Sequence, residues 1–396
     1  MAPDTSAAPR ALLLEPQPFY TDRGTPIAVR QVLRALSELG WSVDVLTFPI
    51  GEPVDIPNVR VERVGNPLGF RHVAVGFSPQ KVLLDLLMAG DLVRRLRRER
   101  YDVVHAVEET GFLAALLRGR GGPPIVYDMA SSIPEQLARK GLLGAPPLRR
   151  SLEAAERWLL RKAGCVICSA GLGEHARAAA PAATVREWRF PAELDPAPPE
   201  AVAALRRQLG IPEGAPVVVY GGNFASYQGV DLLVRAANEA LAAMPGAHLV
   251  CVGAADDGEL AAAAALVSPA VADRVHLLER QPRQRVPLYL GLAGILVSPR
   301  SYGDNFPLKL FDYLAMGRPI VATRIKAHTC VLDERIACLA EPDAAGLAAA
   351  LTRLLRQPDE CARLAAAAAG YADRHLSWDG FKALVAEIYG LARASR

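Results

Sequence analysis

The chain has 396 residues, 51% of them hydrophobic, and its 45 basic residues nearly balance its 42 acidic ones. A chain of that length is too long for one typical core and predicts two domains, and the near-neutral charge gives no indication of nucleic-acid binding. The start, MAPDTSAAPRALLLEP, lacks the pattern of a signal peptide, and no apolar stretch reaches the roughly 20 residues of a membrane-spanning helix. We therefore expect a cytoplasmic protein with no nucleic-acid partner.

The first half of the chain alternates strand-like and helix-like segments. Runs such as VDVLTF and PIVY are predominantly apolar rather than alternating, as expected for parallel strands covered on both faces. The predicted strands lie near residues 11–16, 42–48, 102–107, 124–129 and 165–170. The predicted helices lie near residues 26–39, 80–100, 134–140, 148–163 and 172–180.

A second series of strands begins after the proline-rich segment FPAELDPAPPE. Its predicted strands start near residue 217 and continue at 248–253, 275–278, 294–298, 319–323 and 337–339. Two such series predict an α/β chain of two doubly wound, Rossmann-like domains, with ligands at the carboxyl ends of the strands. We place the domains at residues 1–190 and 201–375 and the linker at 191–200.

The helix at residues 80–100 ends in the basic sequence LVRRLRRER. One interpretation is a solvated face whose positive charges favour the helix C-terminus. The other is an interfacial patch at residues 94–100 that contacts anionic lipid on the inner face of a membrane. The sequence leaves both open.

The segment LVSPRSYGDNFPLKLFDYLAMGRPIVA, residues 296–322, holds the densest set of chemical groups. We expect a strand ending at Ser298, a polar loop and then a helix from about 307 to 316. The first turn of that helix presents free N–H groups, which favour a phosphate. Lys309 and Asp312 lie three residues apart and therefore share one helix face. Cation, carboxylate and helix start together predict a site for a sugar nucleotide.

This segment resembles the nucleotide-sugar glycosyltransferases of the GT-B fold, family 4 in particular. LFDYLAMGRPIVAT matches their "LEAMA-x-G-x-PVVAT" segment, and Asp304 and Asp312 stand where these enzymes carry two glutamates. The resemblance implies two domains facing across a cleft, the first on the acceptor side, and a closing helix (376–396) that crosses back to the first domain. It also implies retaining transfer from a nucleoside-diphosphate sugar to a hydroxyl acceptor: a glycan, a lipid-linked molecule or a small molecule. No cofactor and no essential metal are expected.

The resemblance also assigns roles to individual residues. Lys309 and Arg300 would hold the diphosphate, Asp312 the ribose hydroxyls and Asp304 the transferred sugar. The backbone that assists the diphosphate contacts is that of Asn305, Phe306, Pro307 and Leu308.

Two further segments depart from the family pattern. In GGNFASYQG the family carries basic side chains that clamp the diphosphate, whereas this chain has Gly222 followed by the neutral Asn223 and Gln228. Amides donate weaker hydrogen bonds than charged groups. In YDMASSIPEQL, Asp128 matches the family motif, but the family's donor-contacting histidine falls on Ala130. Asp128 or the hydroxyls that follow Ala130 take its place, or the enzyme is weak.

Two loop positions complete the set of candidates. Gly24 follows the first strand, where glycine permits close approach of a ligand to the backbone; a plain turn is the alternative. His328 opens a short helix in a loop that lines the cleft in relatives, and capping by Thr329 is the alternative. Two other function classes stay open: a catalytically weak or silent sugar-nucleotide-binding relative, and a sugar-nucleotide 2-epimerase.

Overall fold

The computed structural model describes residues 8–21, 23–73, 78–139, 146–303 and 305–395. The chain divides into two compact units. Unit 1 comprises Met1–Trp188 with Asp379–Arg396, and unit 2 comprises Arg189–Trp378. Asp304 lies outside the described residues, so its role in binding the transferred sugar stays a prediction.

Unit 1 is built on a seven-stranded sheet whose neighbouring strands all run parallel. Its strands are β1 (Arg10–Glu15), β2 (Ser42–Thr47), β3 (Val59–Arg63), β4 (Val103–Val107), β5 (Ile125–Met129), β6 (Cys165–Cys168) and β7 (Val185–Glu187). Their spatial order is β3-β2-β1-β4-β5-β6-β7. The apolar runs explain the central strands, since Leu12 and Leu13, which point to opposite faces of β1, are both fully buried.

Helices connect these strands in sequence. They are α1 (Gly24–Glu38), α2 (Pro79–Arg98), α3 (Thr110–Leu117), α4 (Ile133–Arg139), α5 (Pro146–Lys162) and α6 (Ala170–Ala179). The Ser78 side chain caps α2 by accepting a hydrogen bond from the Lys81 amide.

Unit 2 repeats the plan with a six-stranded parallel sheet in the order β10-β9-β8-β11-β12-β13. Its strands are β8 (Val217–Gly221), β9 (His248–Ala254), β10 (Val275–Glu279), β11 (Ile295–Ser298), β12 (Ile320–Thr323) and β13 (Cys338–Ala340). Its helices are α7 (Pro199–Gln208), α8 (Val230–Ala243), α9 (Asp257–Ala264), α10 (Val286–Gly291), α11 (Lys309–Ala315), α12 (Lys326–Thr329), α13 (Ala344–Arg356) and α14 (Pro358–His375). The last helix of the chain, α15 (Trp378–Ala394), belongs to unit 1 after its first residue.

The α/β fold with two doubly wound sheets is confirmed, and four details differ from prediction. Strands β3 and β7 and helix α3 were not expected. β3 is a half-exposed edge strand without an apolar run, and β7 has only three residues. The helix predicted at 307–316 begins at Lys309 because the amides of Leu310 and Phe311 bond three residues back, to Pro307 and Leu308, in a tight first turn.

The strand order reverses between β1 and β4 in unit 1 and between β8 and β11 in unit 2. In open α/β sheets, ligands bind outside the carboxyl ends of the strands at such a switch point. The residues that follow β8 and β11 therefore form the candidate site of unit 2, and those that follow β1 and β4 form the equivalent edge of unit 1.

Candidate functional site

Two loops meet at the switch point of unit 2. One follows β8 and contains the 3-10 turn Ser226–Gln228, and the other follows β11. The Ser301 amide donates to the Tyr227 carbonyl at 3.1 Å and joins the two loops. Gly229 has a φ of +72°, and a Cβ there would lie 2.1 Å from the Pro299 carbonyl oxygen. Only glycine permits this close packing of the loops.

Lys309 lies at the centre of this edge. Its Nζ is buried without a hydrogen-bond partner and lies 4.1 Å from the centroid of the Tyr220 ring. Burial, and secondarily the positive charge of Arg300, lower the pKa of the Lys309 ammonium to about 7. A buried cation without a partner is costly, although the face of an aromatic ring offsets part of the cost. The site therefore has the electrostatics of a pocket for an anion.

Arg300 supplies the second positive charge. Its Nη1 donates to the Asn305 carbonyl at 2.9 Å, and its guanidinium lies 5.0 Å from the centroid of the Tyr227 ring. These contacts fix the loop that follows β11. The structure thus places the predicted Arg300 close enough to Lys309 for its charge to lower the pKa of the Lys309 ammonium.

The loop before α11 contributes to the core with its side chains. Phe306 is 7% exposed and packs edge-on against Phe311 and Phe190, with ring centroids 5.1 and 6.2 Å away. Pro307 is also buried, whereas Asn305 and Leu308 are partly exposed. Phe306 can therefore serve a ligand through its backbone only, as predicted for all four residues of this loop.

Asp312 is buried within α11 and already has partners. Its Oδ1 accepts hydrogen bonds from the amides of Glu193 and Leu194 at 2.9 and 3.3 Å. Burial raises the pKa of the Asp312 carboxyl to about 6, against the opposing effect of the Glu193 amide. The Glu193 carboxylate in turn pairs with Arg283. Asp312 therefore anchors the segment before α7, and a ribose hydroxyl would share the carboxylate with those amides.

The neutral residues after β8 have distinct surroundings. The Asn223 carbonyl accepts from the Tyr220 hydroxyl at 2.6 Å, and the Asn223 Oδ1 accepts from the Ala225 amide at 3.3 Å. Gln228 is 8% exposed, and its Oε1 has no hydrogen-bond partner. A Cβ on Gly222 would lie 2.6 Å from Lys309 Nζ. Gly222 thus leaves the space that the Lys309 ammonium occupies.

In unit 1, Asp128 is the second-last residue of β5 and is 7% exposed. Its Oδ1 accepts from the Trp188 indole N–H at 3.0 Å, and its Oδ2 lies 3.7 Å from His105 Nε2. The His105 Nδ1 lies 2.9 Å from the Tyr389 hydroxyl on α15. Asp128 therefore links β5 to β4 and to the end of the chain, and its catalytic role stays a prediction.

Two other predicted positions of unit 1 differ in their surroundings: Gly24 borders open space, whereas Ser132 already has a hydrogen-bond partner. Gly24 is the first residue of α1, and a Cβ there would meet nothing within 4 Å. A ligand therefore has room to approach the backbone at Gly24, but a residue with a side chain would also fit there. Ser132 is 2% exposed, and its hydroxyl donates to Glu156 Oε1 at 3.3 Å, so this hydroxyl already has a partner.

Two family models match the chain. The "Glycosyl transferase 4-like domain" matches residues 23–178, and "Glycosyl transferases group 1" matches residues 215–357. The chain belongs to the group 1 glycosyltransferases. It is 28% identical over 403 aligned residues to the D-inositol 3-phosphate glycosyltransferase of Thermobispora bispora, covering 92% of this chain and 89% of the relative.

Solved structures share the fold of this glycosyltransferase. Sucrose-phosphate synthase from Thermosynechococcus elongatus has a TM-score of 0.77 at 22% identity, over 98% of this chain and all of that one. HepE from Anabaena, in complex with UDP, has a TM-score of 0.73 at 18% identity, over 96% of this chain and 98% of that one. Both likenesses establish the fold alone.

His328 supports the candidate site of the glycosyltransferase from beneath. It is fully buried; its Nδ1 donates to the Thr323 carbonyl at 2.8 Å, and its Nε2 accepts from the Ser298 hydroxyl at 2.9 Å. The Thr323 hydroxyl in turn donates to the Arg300 carbonyl. The capping interpretation was wrong, because Thr329 donates to the carbonyl of Ile325, the residue before α12, and caps nothing. The buried His328 side chain cannot contact a ligand itself, and the role of its loop in lining a cleft stays a prediction.

We expect acid to loosen this support. Burial lowers the pKa of His328 to about 4, so the unfolded chain binds a proton more readily than the folded one between about pH 6.5 and 4. The contribution of His328 to stability is therefore complete above pH 6.5 and is lost as the pH falls towards 4, by up to about 3 kcal/mol. Urea unfolding at pH 7 and pH 4.5 measures the loss.

Replacing His328 with glutamine should remove this part of the pH dependence, because an amide does not titrate. His72→Gln, at an exposed position, is the matched control and should keep the full pH dependence. An equal loss of stability with acid in the His328→Gln variant and the wild type would contradict the assignment.

Sequence reasoning missed two tyrosines at this edge of the sheet, of which one contacts Lys309 and the other binds β8. Tyr220 lies under the ammonium, and the Gly221 amide donates to the Tyr313 hydroxyl at 3.0 Å, which joins β8 to α11. It also missed Glu193, whose amide binds Asp312. Glu15 is a fourth missed residue, although the sequence itself gives a signal for it. It ends the otherwise apolar run ALLLE, where a charged group must be buried or satisfied by a ligand.

Proposed function

We propose that this glycosyltransferase moves a sugar from a nucleoside-diphosphate sugar to a hydroxyl acceptor, with retention at the anomeric carbon. The observation that carries the proposal is the buried, unpartnered ammonium of Lys309 at the switch point of unit 2. A diphosphate would give that cation its missing partner. HepE from Anabaena, which shares the fold, was solved with UDP and with UDP-glucose.

The physical task of the reaction is to stabilise a departing diphosphate and an oxocarbenium-like sugar. Fixed positive groups in a site that excludes water serve this purpose best, because they need no reorganisation as charge develops. In our proposal Lys309 and Arg300 hold the diphosphate with the backbone of residues 305–308. Asp312 binds the ribose, and Asp304 binds the transferred sugar. The acceptor hydroxyl attacks on the face that the diphosphate leaves, and unit 1 holds the acceptor.

Asn223, Gln228 and Ala130 favour the second candidate, a weak or silent sugar-nucleotide-binding relative, because each lacks the charge or imidazole of the family pattern. Incubation with labelled UDP-glucose and a panel of hydroxyl acceptors separates the candidates. Release of UDP with labelled acceptor supports transfer, and bound but intact donor supports a silent relative. Recovery of the C2 epimer of the donor sugar would support an epimerase. Donor binding too weak to detect with any sugar nucleotide would overturn the proposal.

We expect activity to persist in excess EDTA. Two cationic side chains next to the diphosphate would take the place of a divalent metal ion. Initial rates with and without EDTA, after exhaustive dialysis, measure this. Complete loss on chelation, restored by magnesium or manganese, would refute this account of diphosphate binding.

A further proposal is that α2 contacts the surface of an anionic membrane on the cytoplasmic side. Arg95 is engaged inside unit 1, where it pairs with Glu62, but Arg97 and Arg98 are exposed. One turn apart on the same helix, Val82 and Leu86 are 42% and 66% exposed. Exposed apolar and basic residues on one helix are typical of interfacial binding. Within the described part of the chain, no helix is long and apolar enough to cross a bilayer.

Vesicle sedimentation tests the membrane contact. Binding to phosphatidylglycerol vesicles should fall at least tenfold in a variant that combines Leu86→Ser, Arg97→Ser and Arg98→Ser, since each basic residue near such a surface contributes about 1 kcal/mol. Arg363→Ser, on α14, is the control and should bind as the wild type does. Equal binding of the triple variant and the wild type would exclude α2 as the contact.

A further inference from the structure

The switch point of unit 1 gathers carboxyl groups in place of basic ones. Glu15 is the last residue of β1, and Glu108 and Glu109 directly follow β4. The Nζ of Lys81, in the first turn of α2, lies 2.5 Å from Glu109 Oε1 and 3.8 Å from Glu108 Oε2. Asp85 stands one turn further along α2. Two carboxylates thus pair with one ammonium, and Glu15 and Asp85 add two further carboxyl groups that feel its charge.

Glu15 and Asp85 both have carboxyl oxygens without a hydrogen-bond partner, and Glu15 is the more deeply buried of the two. It is fully buried, and neither of its carboxyl oxygens has a hydrogen-bond partner. Burial raises the pKa of Glu15 well above its usual range, and the charges of Glu108 and then Asp128 raise it further. A buried carboxyl without a partner costs free energy. The burial of Glu15 at the end of β1 does not depend on the Lys81 contacts. It indicates, independently of them, that a hydrogen-bond donor to this carboxyl is missing.

The neighbours of Glu15 form the outer wall of the cluster. The side chains of Glu108 and Glu109 are 19% and 27% exposed, so a ligand can reach them from solvent. Glu108 adopts a φ of +50°, a left-handed conformation that is uncommon outside glycine. Its amide donates to the Asp128 carbonyl at 2.9 Å. The backbone therefore holds Glu108 in a specific and costly conformation at the end of β4.

We infer that this edge of unit 1 binds an unphosphorylated polyol or amino sugar as the acceptor. The inference rests on the proposed function, in which unit 1 holds the acceptor. Hydroxyl or ammonium hydrogens would be donated to the carboxyl oxygens of Glu15, Glu108 and Glu109. A phosphate dianion would meet the Glu109 carboxylate, and the Lys81 ammonium that could attract it is already paired, so it would lose affinity. The acceptor chemistry thus differs from that in the name of the Thermobispora relative, a D-inositol 3-phosphate glycosyltransferase.

Saturation-transfer NMR on the full chain tests this without a donor. The probes are two matched pairs, myo-inositol with D-inositol 3-phosphate and glucosamine with glucosamine 6-phosphate. We expect the unphosphorylated member of at least one pair to bind roughly tenfold more tightly than its phosphate. Glu15→Leu should weaken that probe about tenfold, because it removes both carboxyl oxygens while keeping a side chain of similar size. The double variant Glu108→Gln with Glu109→Gln should reduce the discrimination against phosphate.

The control is Glu153→Gln, at an exposed ion pair on α5, which should leave every probe unchanged. Binding of UDP-glucose, measured in parallel, reports on unit 2, so its failure would count against the proposed function and not against the acceptor class. Three results would overturn the inference: tighter or equal binding of the phosphorylated probes, no binding of either unphosphorylated probe, or unchanged probe binding in a folded Glu15→Leu variant.

Discussion

Replacing Lys309 with methionine is expected to lower donor affinity about tenfold to a hundredfold, because a charge-assisted hydrogen bond contributes about 1.5–3 kcal/mol. Methionine keeps most of the volume of the side chain and can still pack on the Tyr220 ring. The same change should leave the free enzyme as stable or more stable at pH 7, since it removes a buried cation without a partner. Titration calorimetry with UDP-glucose and urea unfolding measure the two effects.

The pH dependence of donor binding gives a sharper test. The pKa of Lys309 in the free enzyme is lowered to about 7, and a bound diphosphate favours the charged ammonium, so binding raises that pKa. Above pH 7 the binding of the donor is therefore coupled to the uptake of a proton by Lys309. Its affinity should fall about tenfold for each pH unit above 7. UDP-glucose is the probe of choice because its diphosphate, esterified at both ends, does not titrate in this range.

Two controls keep this prediction specific. Lys309→Met should bind the donor weakly but with a flat pH profile between 7 and 9, whereas Lys326→Met, at an exposed position on α12, should behave as the wild type does. Binding heats in two buffers of different ionisation enthalpy should show uptake of about one proton at pH 8 in the wild type. A wild-type affinity that does not change from pH 6 to 9 would remove Lys309 from the site.

The fold was predictable because it depends on local and repetitive signals. Runs such as VVVY and IVAT are predominantly apolar, which identifies buried parallel strands whatever they pack against. β3 was not predicted because it has no such run: VRVER alternates apolar and charged residues over only five positions, and its side chains at the sheet edge are half-exposed or exposed. The start of α11 shifted because tight bonds from Leu310 and Phe311 precede the regular helix, and the residue composition does not indicate such bonds.

The charged residues of the candidate site could be predicted from the sequence, but the groups that contact them could not. Lys309 and Arg300 follow from the segment around them, but the Tyr220 ring under Lys309 comes from another strand. The amides of Glu193 and Leu194 that bind Asp312 are more than 100 residues away in the chain. Such contacts depend on tertiary packing, so periodicity and spacing carry no record of them. Glu15 is the exception, because a glutamate in a continuous apolar run is itself a local signal.

Gly222→Ala is the second change with a large expected effect. A Cβ at this position would lie 2.6 Å from Lys309 Nζ and 2.9 Å from the Tyr220 hydroxyl, and the φ of Gly222 is +150°. The methyl group would therefore displace the ammonium from the Tyr220 ring. We expect donor affinity to fall at least tenfold, which is the loss also expected for Lys309→Met. Strain in the backbone should also cost about 1–3 kcal/mol of unfolding free energy.

Gly246→Ala separates the two causes. Gly246 also has a positive φ, +107°, but a Cβ there meets no atom within 4 Å. This control should lose a similar amount of stability and keep full donor affinity, because strain alone does not reach the site. In the double variant Gly222→Ala with Lys309→Met, the two losses of affinity should overlap and not add, since both remove one contact. Fully additive losses would show that Gly222 acts on the donor independently of Lys309, and an unchanged affinity in Gly222→Ala would place the diphosphate elsewhere.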